Sequence, residues 1–272
     1  MALKRFLKQI IPYSIGVKIR GAWQKILRLI YMGNRYYCPY CQNSFRKFLT
    51  GGYPSPVAEE KKITGSGRRK NMLCPRCFST DRDRLIFLYL KEKTKMFFES
   101  VKILHIAPEG SIKHFLSKKP NIEYVTGDKF EEGYDGYYYD RDVQQLDVTH
   151  MPYEDNSFDM VICNHVLEHI KEDIKAMQEI RRVLKEKGKA ILQVPISRVL
   201  TETDEADLDS PEEREKRFGQ FDHVRLYALD YKQRLEKAGF LVEVHNPERD
   251  GWSSEGKKLA LNPLEDIYVA IK

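Results

Sequence analysis

Four of the five cysteines occur in two CxxC pairs, CPYC and CPRC, whose spacing points directly to a chemistry. Each CxxC forms a tight turn that aims both sulfur atoms at one ion, and two such turns complete a tetrahedron around zinc. The separating segment, residues 42–73, exceeds the roughly 15–20 residues usual between such pairs, but intervening loops can lengthen without moving the turns. Four protein ligands leave no open position, so we predict structural zinc, with free thiols or a redox pair as alternatives. The ligands would be Cys38, Cys41, Cys74 and Cys77.

Strand-like and helix-like segments alternate from about residue 81 onward. Apolar runs such as KILHIA and FDMVIC predict buried strands, and the periodic stretch KEDIKAMQEIRRVLKEKG predicts a helix that ends near Gly188. The helix that begins near residue 81 would take Ser79, Thr80 or Asp81 as its N-cap. Such alternation predicts an α/β fold with a doubly wound, mostly parallel sheet. The cysteine pairs would form a small zinc-ribbon-like module in front of it.

Composition divides the chain into three zones: a basic apolar zone over 1–36, the cysteine module over 37–80, and the α/β domain over 81–272. Ten lysines or arginines precede the first acidic residue, Glu59, although the net charge of the chain is only +6. Trp23, Ile26 and Ile30 fall on one face of a helix with basic residues interleaved. We predict basic amphipathic helices over 1–36 that either contact an anionic membrane surface or dock on the rest of the protein. Nucleic acid is the less favoured partner.

The localisation expected from the sequence is cytoplasmic. Hydrophobic residues make up 42% and charged residues 32% of the chain, which suits a soluble globular protein. The sequence has neither an apolar run of about 20 residues nor the pattern of a signal peptide. Any membrane association would therefore be peripheral, at the inner face.

The segment 196–227 interrupts the alternation and is too long for an ordinary connection between a strand and a helix. Its first part, residues 201–215, contains eight acidic residues and one arginine, and its second part contains FGQFDHVRLY. Long loops at the carboxyl edge of a sheet often carry functional contacts. We predict a substrate loop here, with a solvated surface insertion as the alternative for the acidic part.

The stretch YVTGDKF … QQLDVTHMPYEDNSFDMVICNHVLEHI … IRRVLKEKGKAILQVPIS resembles the class I S-adenosylmethionine-dependent methyltransferases. It is most similar to the type 11-like subgroup, whose fourth strand reads F-D-x-V followed by L-E-H. The resemblance covers roughly 101–272 and is strongest over 124–195. It implies a seven-stranded Rossmann-like sheet and an S-adenosylmethionine cofactor. The cysteine module followed by RDRLIFLYL also resembles an extension found on some bacterial members.

The resemblance implies cofactor contacts at the ends of several strands. Asp128 would accept hydrogen bonds from the ribose hydroxyls, as acids do at this position in dinucleotide-binding folds. Asp147 and Val148 fall where family members hold the adenine. Asn164 falls where the strand-end residue of relatives lies beside the reactive methyl group.

The loop after the first strand, ILHIAPEGS, departs from the family pattern hydrophobic-L-D-h-G-x-G-x-G. His105 replaces the usual acid, and the glycine positions carry Ala107, Glu109 and Ser111, with Gly110 displaced by one. Alanine and serine are small, and S-adenosylmethionine has no pyrophosphate that requires close backbone approach. We therefore predict an altered cofactor loop formed by His105, Ala107, Glu109 and Gly110, with Glu109 facing the ammonium group. The alternative is that Pro108 and Glu109 block the site.

Methyl transfer mainly requires alignment of donor and acceptor, together with removal of a proton from a hydroxyl or amine acceptor. His165 and His223 are the candidate catalytic bases, since His165 follows the fourth strand and His223 lies in a pattern shared by some relatives. Arg225 and Tyr227 would bind an anionic or sugar-like acceptor. Structural anchoring of the loop is the alternative for His223, Arg225 and Tyr227.

Three functions fit these features. The favoured one is methyl transfer to an O or N atom of a small molecule or glycan precursor, with structural zinc. An RNA methyltransferase would use the basic zinc module to bind phosphates, but the acidic segment 201–215 and CNHVLE in place of an N/D-P-P-Y/F motif disfavour it. The third function is a non-catalytic binding protein with a decayed cofactor fold.

Overall fold

The computed structural model describes residues 13–129 and 142–272 of the chain. The described part begins with one helix that runs without interruption through Gly16 and is followed by short elements. In chain order these are α1 (Tyr13–Ile30), β1 (Met32–Cys38), β2 (Asn43–Phe45), β3 (Leu49–Gly51), α2 (Pro56–Glu60), β4 (Ile63–Thr64) and β5 (Arg69–Leu73). Of the predicted N-terminal helices, α1 is therefore observed, and residues 1–12 lie outside the described part.

The cysteine module is built from two antiparallel pairs, β1 with β2 and β3 with β5. The turns that carry the cysteines follow β1 and β5. Phe45 and Phe48 pack against Cys38 and Cys74 in a small core of their own. The long gap between the cysteine pairs thus contains four strands and a helix. The predicted division at residues 36 and 80 stays a prediction, and β1 runs across the first of these boundaries.

A seven-stranded sheet forms the centre of the remaining described chain, in the order β14-β15-β10-β9-β6-β7-β8. Neighbouring pairs are parallel except those of β15, which is antiparallel to β10 and β14. This confirms the predicted mostly parallel, Rossmann-like α/β fold. The elements are α3 (Asp81–Lys93), β6 (Val101–Ile106), α4 (Gly110–Leu116), β7 (Ile122–Asp128), β8 (Gln144–Gln145), β9 (Phe158–Asn164), a 3₁₀ turn (Leu167–His169), α5 (Asp173–Val183), β10 (Leu184–Gln193), β11 (Ile196–Ser197), β12 (Asp204–Glu205), α6 (Pro211–Phe218), β13 (Arg225–Leu226), α7 (Tyr231–Lys237), β14 (Leu241–His245), α8 (Ser253–Lys258) and β15 (Ile267–Ile271).

Both faces of this sheet are buried, because successive strand residues point to opposite sides. In β9, Val161 and Cys163 pack with α5 and α7, whereas Met160 and Ile162 pack with α3 and α4. Two hydrophobic cores therefore enclose the sheet, as in doubly wound folds. Apart from the exposed edge strands β8 and β14, the sheet meets solvent mainly at the strand ends, and polar residues placed there form the candidate site.

Two predicted helix ends can be compared with the structure. Thr80 is the N-cap of α3 and forms a capping box with Asp83, which agrees with the predicted start. Helix α5 ends at Val183, five residues before the predicted Gly188. The basic residues that follow begin β10 instead, where Lys185 forms an ion pair with Asp159 at 2.9 Å. Pairing with the sheet overrides helix propensity here.

The segment 196–227 is folded and joins the cysteine module to the sheet. Its strand β11 pairs antiparallel with β4, and β12 pairs antiparallel with β13. Phe218 and Leu226 pack against Ala58 and Ile63 of the module. The two longest sequence insertions therefore stabilise each other beside the carboxyl edge of the sheet.

Candidate active site

The predicted cofactor residues lie at the carboxyl ends of the adjacent strands β7, β6 and β9. Asp128 ends β7, Asn164 ends β9, and Ala107 directly follows β6. Ala107 has a left-handed backbone, φ +49°, and its N–H donates to the Gly127 carbonyl at 2.8 Å. The loop therefore turns sharply at Ala107 without a glycine at this point.

Glu109 is held in a network of buried polar groups. His105 is completely buried, with Nδ1 2.7 Å from the Tyr124 hydroxyl and Nε2 2.8 Å from Glu109 Oε2. The Asn164 amide donates to Glu109 Oε1 at 3.2 Å. Burial alone would raise the pKa of Glu109, but the hydrogen bond to His105 and the charges of His105 and Arg82 lower it to about 2. The replacement of the usual acid by His105 is thus accompanied by a carboxylate four residues later.

Asn164 and Gly110 provide a test of whether a cofactor with an ammonium group fits this place. Asn164 is buried, and its Oδ1 has no hydrogen-bond partner among the described residues. A buried acceptor without a partner is costly, so a donor from a ligand would stabilise it. A Cβ added to Gly110 would meet no atom within 4 Å, which leaves open space beside the loop. Asn164 Oδ1 is therefore an acceptor to which a cofactor ammonium group could donate, and the space around Gly110 is open.

Asp128 and Asp147 follow neighbouring strand ends, because β7 pairs with β8 through Asp128 and Gln145. Asp128 Oδ1 accepts a hydrogen bond from the Lys129 N–H at 2.8 Å. Asp147 Oδ1 accepts from both the N–H and the hydroxyl of Thr149, and these bonds lower the pKa of Asp147. Val148 is buried. The Asp147 carboxylate is exposed and held in one orientation, as a predicted adenine contact requires.

His165 lies at the start of the turn after β9, with a left-handed backbone, φ +54°. Its Nδ1 is 3.3 Å from Oε1 of the buried Glu168, and its buried Nε2 has no hydrogen-bond partner among the described residues. Burial lowers the pKa of His165 below its usual value and lowers that of His223 to about 4. Both imidazoles are therefore neutral near pH 7, as a general base must be.

The cysteine module reaches this histidine through Gly65, which the sequence analysis did not single out. Gly65 has φ +79°, and a Cβ there would lie 3.2 Å from His165 Nε2 and 3.3 Å from Glu265 Oε1. Burial and the Asp81 charge raise the pKa of Glu265 to about 7. Gly65, Arg82 and Glu265 thus complete the surroundings of the site. The two glycines of TGSGRRK indicated a loop in the sequence, but nothing in the sequence related Gly65 to His165.

Arg225 and Tyr227 were predicted to bind the acceptor, but the structure gives them a different role. Both are buried, at 3% and 0% exposure. The Arg225 guanidinium donates to the carbonyl groups of Leu167, Ile170 and Lys171, and the Tyr227 hydroxyl donates to Asp173 at 2.7 Å. Because their polar atoms are already bonded inside the protein, they anchor the 3₁₀ turn, which corresponds to the structural alternative.

The four cysteines converge as predicted. Their sulfur atoms all lie within 4.8 Å of one another, with Cys38 and Cys77 at 3.5 Å and Cys41 and Cys74 at 3.6 Å. These distances are far above the about 2.05 Å of a disulfide bond. They approach the about 3.8 Å expected between two sulfurs that each lie about 2.3 Å from one tetrahedral zinc ion. The cluster is compatible with zinc, and all four thiols are free.

Comparison with known proteins finds similarity over parts of the chain. Residues 118–192 match a family model described as a methyltransferase domain. An uncharacterized protein of Methanocaldococcus jannaschii is 53% identical over 47 residues, which are 17% of this chain and 20% of that protein. The chain thus matches about a fifth of the length of this curated relative.

Two solved structures illustrate the structural matches. Phosphoethanolamine N-methyltransferase 2 of Haemonchus contortus, in complex with S-adenosyl-L-methionine, is 19% identical with a TM-score of 0.45, and the match covers 70% of this chain and 52% of that one. A SAM-dependent methyltransferase of Archaeoglobus fulgidus is 15% identical with a TM-score of 0.44, over 71% and 95%. Among the described residues, no helix is long and apolar enough to cross a membrane.

Proposed function

We propose that this chain, which carries a methyltransferase domain as its motifs predicted, uses S-adenosylmethionine to methylate an O or N atom of a small molecule or glycan precursor. The observation that carries the proposal is the pair of buried polar groups at the end of β9. Asn164 Oδ1 and His165 Nε2 both lack partners among the described residues. They belong to consecutive residues, and in this proposal Asn164 faces the cofactor and His165 faces the acceptor.

In this proposal Asp128 binds the ribose, Asp147 and Val148 hold the adenine, and Glu109 with Asn164 holds the methionine end. When bound, the cofactor supplies a methyl group activated by its sulfonium. The residues of the chain orient the acceptor and exclude water. His165 accepts the acceptor's proton at Nε2, while Glu168 stabilises the resulting imidazolium from the Nδ1 side. His223, whose Nδ1 has no hydrogen-bond partner among the described residues, is not used as a base in this proposal.

The acceptor side favours a small molecule over RNA. The acidic strand β12 pairs with β13, whose Arg225 anchors the turn after β9. Glu205 lies 3.1 Å from Arg225, and Asp207 forms an ion pair with Lys171. Both acidic side chains are paired with basic residues beside this turn, which leaves those basic residues less available to the phosphates of a nucleic acid.

Calorimetry with S-adenosylmethionine tests the proposal. The wild-type protein is expected to bind the cofactor, and Asp128→Ala is expected to weaken binding at least about tenfold, since a hydrogen bond to a charged group contributes about 1.5–3 kcal/mol. Glu109→Gln is expected to weaken it in the same direction. Asp155→Ala, at the amino end of β9 on the opposite edge of the sheet, serves as the matched control. A folded wild-type protein that gives no binding heat would leave the non-catalytic binding protein as the better function.

We also propose that α1 contacts an anionic membrane surface. Ile15, Ile19, Trp23, Ile26 and Ile30 form one stripe along the helix, and each is between 47% and 56% exposed. The exposed basic residues that accompany this stripe are Lys18, Arg20, Lys25 and Arg28. An apolar stripe with flanking basic residues is the pattern of helices that lie in the interface of an anionic bilayer.

Vesicle flotation tests the membrane contact. The protein is expected to float with vesicles that contain phosphatidylglycerol and not with neutral phosphatidylcholine vesicles, and Trp23→Asp is expected to lose most of this binding. Tyr53→Asp, which changes an aromatic side chain that is 86% exposed outside α1, is the matched control. Salt-dependent binding of bulk RNA without vesicle binding would overturn the membrane contact and revive the RNA methyltransferase.

A further inference from the structure

We propose that Glu168, His169 and His223 bind a divalent transition-metal ion, at a site separate from the four cysteines. One ligand atom from each residue lies within 4.8 Å of the others. Metal–ligand bonds of about 2.0–2.2 Å place neighbouring ligand atoms roughly 3–3.5 Å apart, so small side-chain rotations suffice. The residues come from the 3₁₀ turn and from the loop before β13.

Glu168 is the first reason for an ion at this place. Its side chain is 1% exposed, and neither carboxylate oxygen accepts a hydrogen bond of good geometry from the described residues. The polar atom that approaches the Glu168 carboxylate from the same turn is Nδ1 of His165, 3.3 Å from Oε1. A buried carboxylate in such surroundings is strongly disfavoured unless a positive charge compensates it. A bound cation supplies that charge.

The two histidines provide the remaining ligands. His223 is 5% exposed, and its Nδ1 has no hydrogen-bond partner among the described residues. The rings of His169 and His223 meet edge to face, with centroids 4.7 Å apart. The Asp222 carboxylate lies 3.4 Å from Nδ1 of His169, and a carboxylate behind a metal-binding histidine is a common way to fix its orientation.

The surrounding structure holds the ligands together before an ion arrives. The Val224 N–H donates to the Glu168 carbonyl at 2.9 Å, which joins the loop to the turn next to two of the ligands. Arg225 reinforces this junction through the carbonyl groups of Leu167 and Ile170. Val224 and Arg225 therefore hold the metal ligands in place and act as supports of the metal site.

The donor set indicates the kind of ion and its use. Two imidazoles and one carboxylate suit Zn²⁺, Fe²⁺, Mn²⁺ or Co²⁺ better than Mg²⁺ or Ca²⁺, which prefer oxygen ligands alone. Three protein ligands leave at least one position open, and the His169 side chain, 29% exposed, marks the solvent side. This part of the inference rests on the proposed function: His165 Nδ1 lies 3.3 Å from Glu168, so an ion held by Glu168 would be near the proposed base and would suit an acceptor that offers an oxygen atom.

Metal analysis of the full chain tests the site. Protein depleted of metal and reloaded with Co²⁺ is expected to hold two ions per chain, one at the cysteines with sulfur-to-cobalt charge-transfer absorption and one without it. His169→Asn and His223→Gln are each expected to lose about one ion per chain while that absorption is retained. His245→Asn, which changes a histidine paired with Asp250, is the matched control and is expected to keep both ions.

Two outcomes would overturn the second site: one ion per chain in wild-type protein saturated with Co²⁺, Zn²⁺, Mn²⁺ or Fe²⁺, or two ions retained in both variants. His169 is only partly buried, so His169→Asn keeps the test valid if His223→Gln fails to fold. Calorimetry of the metal-loaded wild-type protein with S-adenosylmethionine separates this failure from failure of the proposed function. Cofactor binding with a single ion per chain rejects the second metal site alone.

Discussion

Cys74→Ser is expected to remove the zinc ion that we propose the four cysteines bind, and to lower the thermal midpoint by about 10–20 °C. A structural zinc site contributes to folding directly, and its loss is among the few single changes that cost about 5 kcal/mol or more. A change of about 1 kcal/mol shifts the midpoint by about 2–4 °C in a domain of this size. Thermal unfolding followed by circular dichroism, together with the metal content, measures both effects.

The effect should extend beyond the module, because β4 pairs with β11 and Gly65 lies against His165. Cys163→Ala is the matched control, since Cys163 is a fully buried cysteine of β9 that lies outside the sulfur cluster. It is expected to keep the zinc ion and to lose only the stability of a small core truncation. If Cys74→Ser kept its full metal content and melted like the wild-type protein, the four-cysteine zinc site would be rejected.

Asp173→Ala is expected to cost about 3–5 kcal/mol of the free energy of unfolding. The carboxylate is 2% exposed and accepts hydrogen bonds from Arg234 at 2.6 and 2.9 Å and from the Tyr227 hydroxyl at 2.7 Å. Arg225 lies 3.6 Å away and is itself buried. Removing one partner of a buried ion pair leaves the other charge uncompensated. Urea unfolding monitored by fluorescence gives the difference.

Two milder changes calibrate that measurement. Tyr227→Phe removes one hydrogen bond and is expected to cost about 1 kcal/mol. Asp155→Ala removes an exposed ion pair with Arg182 and is expected to cost less than about 1 kcal/mol. An equal cost for Asp173→Ala and Asp155→Ala would contradict the anchoring role assigned to the buried network.

Local sequence patterns predicted the features that depend on neighbours in the chain. The buried runs KILHIA and FDMVIC became β6 and β9, and Thr80 became the N-cap of α3. Four cysteines in two CxxC turns predicted one cluster, because each turn fixes its own pair of sulfur atoms. The helix prediction failed at Val183, where pairing of β10 with β9 and β15 replaced the helical hydrogen bonds that the basic residues would otherwise have made.

Side-chain direction in the segment 196–227 could not be predicted from the sequence. The stretch FGQFDHVRLY contains Arg225, but whether this side chain faces an acceptor or the protein interior depends on carbonyl groups more than 50 residues away. The position of Gly65, the first glycine of TGSGRRK, beside His165 likewise depends on the pairing of β4 with β11. Contacts between distant segments are set by packing, and packing leaves little trace in a single sequence.

The sequence by itself determined the main strands and the four-cysteine cluster, because each depends on short-range spacing along the chain. Only the tertiary structure decided that the cysteine module reaches His165 and that Arg225 and Tyr227 are bonded inside the protein. It also brought Glu168 and His169 to His223, across more than 50 residues of chain. The physical reason is that a buried carboxylate and two imidazoles meet only after two sequence insertions pack against each other at the sheet edge.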